Sequence, residues 1–347
     1  MQLIKEFAEF AQAEIAAGGP DSHVRCAAWI SQDCEIDEKL WRAGVITSIW
    51  NVPGAEAIWQ HWPRERIDLE PQNFQAWLEK NWQGLPFRKE RRAVRTPKKL
   101  ARSLCDYVRL AETLPDHFEY LKSEDPVIAY EKLWPIVTSV YGIGRYAGIK
   151  LLEYLRRYCG APIASPDIRP TGGWSPREAL CLFDPANTAK VNAHDDSYDS
   201  IMFSQRLADR IQQELIEEYD LPIGYYRLQG LLCNFREYLE GHWYYPGLGL
   251  DEDLSRMFKV LTHFGSKVQT DIWKARANIA PQVCLGEVGQ RWSSERKELG
   301  YSLSKFQYIW SDITMDYQKT TDLANPVYRE SPGDIHTMAL STLASEW

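Results

Sequence analysis

Apolar residues recur at helical spacing along most of the chain. Leu3, Ile4, Phe7, Phe10, Ala11 and Ile15 mark one face of an opening helix, which Gly18-Gly19-Pro20 ends. A Trp-rich stretch follows from Trp29 to Trp62, and its part from Trp41 to Pro63 reads as two helices broken at Asn51-Val-Pro-Gly54. Residues 71–82 predict another helix. Thr96 as cap and Pro97 in the first position predict a helix that turns Leu100, Leu104, Val108 and Ala111 inward. An apolar helix then runs through Leu133 into Gly142-Ile-Gly144, and a second helix leaves at once, giving a helix–hairpin–helix unit at about 128–158. Residues 159–200 carry Pro162, Pro166, Pro170, Gly172, Gly173, Pro176 and Pro185, and read as a loop-rich functional surface on a helical scaffold. Helices resume near Met202. Tyr244-Tyr-Pro-Gly-Leu-Gly249 predicts a turn before a helix capped by Asp251, and from about Tyr317 fading periodicity predicts an extended arm. Strand-like alternation is scarce and no internal repeat is present, so the expected class is mainly α. Three regions are expected within one compact unit: a Trp-rich helical part over 1–125, a core over 126–260, and C-terminal helices with an arm over 261–347.

Composition changes this picture little. The hydrophobic content is 44% and the charged content 25% over 347 residues, as in a globular protein with a core. The 14 Trp and 18 Tyr read first as inter-helix packing. The formal net charge of −8 does not advertise nucleic-acid binding, but its distribution does. Arg88, Lys89, Arg91, Arg92, Arg95, Lys98, Lys99 and Arg102 crowd one segment, opposed only by Glu90. Such a run is usually a solvated face; its polar, Pro-containing setting ahead of a helix makes phosphate contact an equal reading. The seven cysteines form no C-x-x-C pair, which argues against a zinc site and for reduced thiols in a cytoplasmic protein. No apolar run has the length of a membrane span and the start lacks a signal-peptide pattern, so a soluble protein without membrane contact is expected.

Two constellations could carry chemistry. Gly142 and Gly144 allow a tight turn with positive φ and bring backbone N–H groups to the start of a helix, where one DNA phosphate oxygen can be held without sequence reading. Taken alone, a Gly-x-Gly is more often a plain helix–helix turn. Here Ala164-Ser-Pro-Asp167 follows the second helix, and hairpin, helix and trailing acid in that order resemble the helix-hairpin-helix DNA glycosylases. Burial would raise the pKa of Asp167 and nearby Arg169 would lower it; the carboxylate could take a proton from an amine or serve only as a cap. The run Asn192-Ala-His-Asp-Asp-Ser-Tyr-Asp199 has nearly contiguous acids without metal-site spacing, so no metal is expected, and no cofactor. The Walker, G-x-S-x-G and H-E-x-x-H motifs are absent, which argues against those hydrolytic chemistries.

With these residues in place, the chain resembles the α-glutamyl/putrescinyl thymine pyrophosphorylases, or amino acid:DNA transferases, of bacteriophages with hypermodified thymine. The resemblance spans most of the chain. It rests on the Trp41 to Pro63 block, the Arg88 to Arg102 block, Tyr141-Gly-Ile-Gly144 with Asp167, and Leu231-Leu-Cys-Asn-Phe-Arg236 followed by Tyr244-Tyr-Pro-Gly247. It implies a helix-hairpin-helix glycosylase-like fold with extra N-terminal helices and a C-terminal arm. It also implies a reaction: an amine from glycine, glutamate or putrescine replaces the pyrophosphate of 5-(pyrophosphoryloxymethyl)uracil in double-stranded DNA, with the base flipped out. Under that reading Asp167, Arg169 and Lys150 carry the chemistry. Gly142, Gly144, Arg145, Arg91, Arg92, Arg95 and Lys98 meet DNA, and Arg25, Asn51, Tyr141, Arg227 and Arg236 face the substrates. Arg25, Arg227 and Arg236 are equal candidates for a donor carboxylate. A DNA glycosylase and a non-enzymatic DNA-binding module are the alternatives.

Overall fold

The opening amphipathic stripe forms α1 (Gln2–Ala16), which buries Ile4, Phe7, Phe10 and Ala11. The computed structural model describes residues 2–16, 19–87, 94–188 and 193–239, with 260, 263, 264 and 275. Among the described residues the secondary structure is helical throughout, without strands. The expected Tyr244 turn, the Asp251 cap and the C-terminal arm lie outside them, as do Arg91 and Arg92.

The predicted break at Asn51 is a helix boundary with identifiable chemistry. α2 (Ser22–Ile30) is followed by α3 (Ile36–Ile49), which ends on Trp50 in the left-handed region, and α4 (Val52–His61) starts at once. Asn51 caps α4 by accepting the Gly54 N–H at 2.9 Å, and Pro53 sits in the first turn where a missing N–H costs nothing. α5 (Arg64–Leu69) and α6 (Pro71–Asn81) lead to α7 (Pro97–Leu121), capped by the Thr96 hydroxyl, which accepts from the Lys99 N–H at 3.3 Å. α7 buries Leu100, Leu104, Val108 and Ala111 as its spacing predicts. α8 (Pro126–Thr138) and α9 (Arg145–Tyr158) flank the glycine turn.

The proline-rich stretch is more helical than its composition predicts. α10 (Trp174–Leu182) and the short α11 (Pro185–Thr188) lie within it, and α12 begins at Tyr198. Pro176 and Pro185 fall in first turns, where the ring fits the helix, so they open helices rather than break them. α12 (Tyr198–Tyr219) and α13 (Tyr225–Leu239) complete the described chain.

The buried apolar residues gather in two clusters. One joins α2 through α9, around Trp41, Trp50, Tyr107 and Leu151. The other joins α1 with α10, α12 and α13, where Phe7 and Phe10 meet Phe235 at 5.0 and 5.4 Å between ring centres. The 159–173 loop runs from the first cluster to the second. Polar residues of α9 and α13 meet along the seam between the clusters.

Candidate active site and nucleic-acid face

The glycine turn is built by its neighbours. Gly142 has φ +79°, a conformation that penalises side chains, and a Cβ there would lie 2.4 Å from Val94 Cγ1. Val94 is fully buried, so the end of the basic segment is seated on the turn. The Arg102 guanidinium stacks over Tyr141 at 4.1 Å from the ring centre. Exposed Arg95 and Lys98 therefore lie on the chain immediately flanking the residue that packs on the turn. Gly144 is exposed and opens α9 with no side chain to cap its first N–H groups, Gly142 is half-buried, and Ile143 is buried. The turn is thus only partly exposed, because Ile143 anchors it in the first core.

Asp167 sits in a loop pinned from three helices. Its Oδ1 accepts the Arg169 N–H at 2.7 Å, and Arg169 holds a left-handed φ of 50°. The Arg169 side chain donates to Glu131 of α8 at 2.7 Å and covers the rings of Tyr130 and Trp134, with its Nε 3.7 Å from Asp167 Oδ1. Ile168 is buried in the second core, and its N–H donates to Gln205 of α12 at 3.2 Å. Arg145, the first residue of α9, donates to the Ile168 carbonyl at 3.0 Å and to the Arg169 carbonyl. Gly173, just before α10, leaves room for that guanidinium: a Cβ there would lie 2.4 Å from Arg145 Nη2. Burial pulls Arg145 below the usual arginine range, in keeping with a cation turned inward. Asp167 Oδ2 has no hydrogen-bond partner among the described residues, and the side chain is 30% exposed.

Lys150 occupies a different place from the one its sequence position suggests. It is buried, and its ammonium meets Asp21 Oδ2 at 2.5 Å; the Tyr226 hydroxyl donates to the same oxygen at 2.6 Å. The Tyr226 ring lies 4.7 Å from the ammonium. Burial opposes the charge of Asp21, but Lys150, His23 and Tyr226 together hold its carboxyl below the usual range. Burial, reinforced by the Asp21 carboxylate, pushes the Tyr226 hydroxyl well up. Asp21 lies ahead of α2, Lys150 on α9 and Tyr226 on α13, so this triad ties the two cores together. Sequence reading misses Asp21 and Tyr226, since no local pattern links residues so far apart in the chain.

The remaining sequence candidates separate. Asn51 is committed to capping α4. Arg236 donates to Glu178 and, at 3.0 Å, to Glu237. Arg25 and Arg227 come within electrostatic reach of each other. Asp195 and Asp196 bind Ser197, Gly172 and the fully buried Arg177. Among the described residues no group of three or more His, Cys, Asp or Glu is placed to hold a metal ion. No described helix is long and apolar enough to cross a membrane.

The placement of Arg145 has a measurable consequence. If Asp167 is the general base that the resemblance implies, Arg145→Ala should lower turnover by about 10²-fold through misplacement of the loop, while leaving the salt dependence of any duplex binding unchanged. If exposed Arg95 meets DNA phosphate, as the resemblance implies, Arg95→Glu should instead flatten that dependence, since such contacts act through counterion release. Salt titrations of duplex binding separate the two; a flattened slope in Arg145→Ala would return this residue to the phosphate contacts.

No curated protein and no solved structure shows a significant match to the chain. A family model described as amino acid:DNA transferase matches residues 27–242, which include the glycine turn, Asp167, Lys150, Tyr226 and Arg227. By this match over more than half of its length, the chain belongs to the amino acid:DNA transferase family.

Proposed function

We propose that the protein replaces the pyrophosphate of 5-(pyrophosphoryloxymethyl)uracil in double-stranded DNA with an amine, on a helix-hairpin-helix glycosylase-like scaffold. The observation that carries this reading is Asp167: Oδ1 is tied to the backbone and Oδ2 makes no hydrogen bond among the described residues, on a partly exposed side chain in a loop held by the first residue after the glycine turn. A donor ammonium must lose a proton before it attacks, and Oδ2 is the acceptor. The amine nitrogen bonds to the methylene carbon on the base as the carbon–oxygen bond breaks. The electron pair leaves with pyrophosphate, and the second amine proton passes to solvent.

The family supports amino-acid transfer to DNA. Pyrophosphate departure needs fixed positive charge. Lys150 is paired with Asp21 and Arg169 with Glu131, so the task falls to the start of α9 at exposed Gly144, which no side chain caps, and to the exposed bases Arg95 and Lys98. The target base leaves the duplex to reach the loop, and Trp174, half-exposed directly after Gly173, is an aromatic face for it. Glycine or glutamate suits this basic surface better than putrescine, a dication.

The test is pyrophosphate release from duplex carrying the pyrophosphorylated base. Release should require an amine and should be supported better by glycine or glutamate than by putrescine. Release without any amine would make the protein a hydrolase and overturn the reading.

A further inference from the structure

α12 sends polar side chains to the loop that carries Asp167 and to the start of α13. Gln205 Oε1 accepts the Ile168 N–H at 3.2 Å, and its Nε2 donates to Asp209 Oδ1, one helical turn further on, at 2.6 Å. The hydroxyl of Tyr225, the first residue of α13, donates to the same Asp209 oxygen at 2.8 Å. Gln212 of α12 donates to the Ile223 carbonyl at 2.6 Å and so fixes the approach of α13 to this helix. Burial, and then the bond to Asp209, push the Tyr225 hydroxyl up to about 12, so it stays a donor at neutral pH.

A glutamine amide has nearly the same shape in either orientation, and its partners decide which end faces which. A carboxylate only accepts, so Asp209 selects the NH2 end of Gln205 and leaves the carbonyl end for the Ile168 N–H. The Tyr225 hydroxyl, bonded to the same oxygen, holds Asp209 in this place. The N–H so held belongs to the peptide between Asp167 and Ile168. The carbonyl of that peptide accepts the Ser165 hydroxyl from within the loop, at 2.8 Å, while Gln205 ties the peptide to a helix. Beyond it, the Ile168 carbonyl is taken by Arg145 at 3.0 Å and the Ile168 side chain is buried in the second core.

We propose that Gln205 is a positioning residue for Asp167, and that Asp209 and Tyr225 act on Asp167 through the orientation of its amide. The proposal rests on the reading of Asp167 as the base of amine transfer.

Asp209→Lys replaces an acceptor by a donor at an exposed helix position. It favours the turned amide of Gln205, which sets an NH2 group against the Ile168 N–H. Single-turnover transfer at saturating duplex should fall by about 10–10²-fold in Gln205→Ala and in Asp209→Lys, with donor KM unchanged. In the Gln205→Ala background Asp209→Lys should cost little more, because its route to Asp167 is gone. Asp209→Asn, whose oxygen can serve both bonds, should recover most of the loss seen with Lys. Hydrogen exchange at the Ile168 amide should speed by about tenfold in Gln205→Ala and Asp209→Lys, independently of any chemistry. Additive losses in the double variant, or unchanged exchange at Ile168, overturn the proposal. Asp167→Asn in parallel separates the two levels. Near-normal transfer there removes the base assignment and the positioning with it, whereas an inactive Asp167→Asn beside a fully active Gln205→Ala keeps the base and overturns the positioning alone.

Discussion

Asp167→Asn should lower amine transfer by about 10²–10⁴-fold, the usual contribution of a positioned general base, while leaving fold and duplex affinity nearly intact. The amide is almost isosteric. Its oxygen can still accept the Arg169 N–H, and the loop keeps its anchors through Arg145, Gln205 and Glu131. What disappears is an oxygen able to take a proton at the Oδ2 position. Single-turnover transfer at saturating donor isolates this step from binding. The loss should appear in the rate at saturation and not in the affinity for DNA. Near-normal turnover would make Asp167 a cap for its own loop, the plain role its sequence position also allows.

The second large effect is on stability. Asp21→Asn should destabilise the protein by about 3–5 kcal/mol, because Lys150 would be left as a buried charge without its partner. Asn can still accept the Tyr226 hydroxyl, so the loss is mainly that of the ion pair. pH adds a second readout. The carboxyl of Asp21 is held below its ordinary value of 3.8, so its contribution is complete above that pH and is lost as acidification protonates it in the folded state. Denaturant unfolding from about pH 5 down to about pH 2 should show a steeper acid loss in wild type than in Asp21→Asn. Equal acid limbs, or a neutral-pH loss below about 1 kcal/mol, would mean that the pair is not what joins the two cores.

The helices are legible because their signals are local. Periodicity marks the face of α1, a Thr-Pro pair starts α7, and Asn51-Val-Pro-Gly54 writes the boundary between α3 and α4. The turn, the helix after it and Asp167 are legible as an ordered motif. Periodicity says that α1 has an apolar face but not which core receives it, and the chain delivers that face to α12 and α13 across the whole molecule. The direction of a long cation is equally hidden. Arg145 stands where a phosphate contact would stand, yet its guanidinium folds back onto the carbonyls of Ile168 and Arg169. Lys150 reads as a catalytic cation beside the turn, but the helical repeat of about 3.6 residues per turn carries it to the seam, where it meets Asp21. Of the three arginines that the sequence offers for a carboxylate, Arg236 is held by Glu178, while Arg25 and Arg227 come within electrostatic reach of each other, a division no local pattern announces.

The most direct measurement is mass spectrometry of nucleosides from duplex DNA carrying 5-(pyrophosphoryloxymethyl)uracil, after incubation with the protein and a ¹⁵N-labelled amino acid. The expected product is a thymidine derivative that carries the labelled donor on its methylene, formed in step with released pyrophosphate and absent with Asp167→Asn. Free base with abasic sites would identify a glycosylase instead, and unchanged nucleosides from DNA that the protein still binds would leave a DNA-binding module without this chemistry.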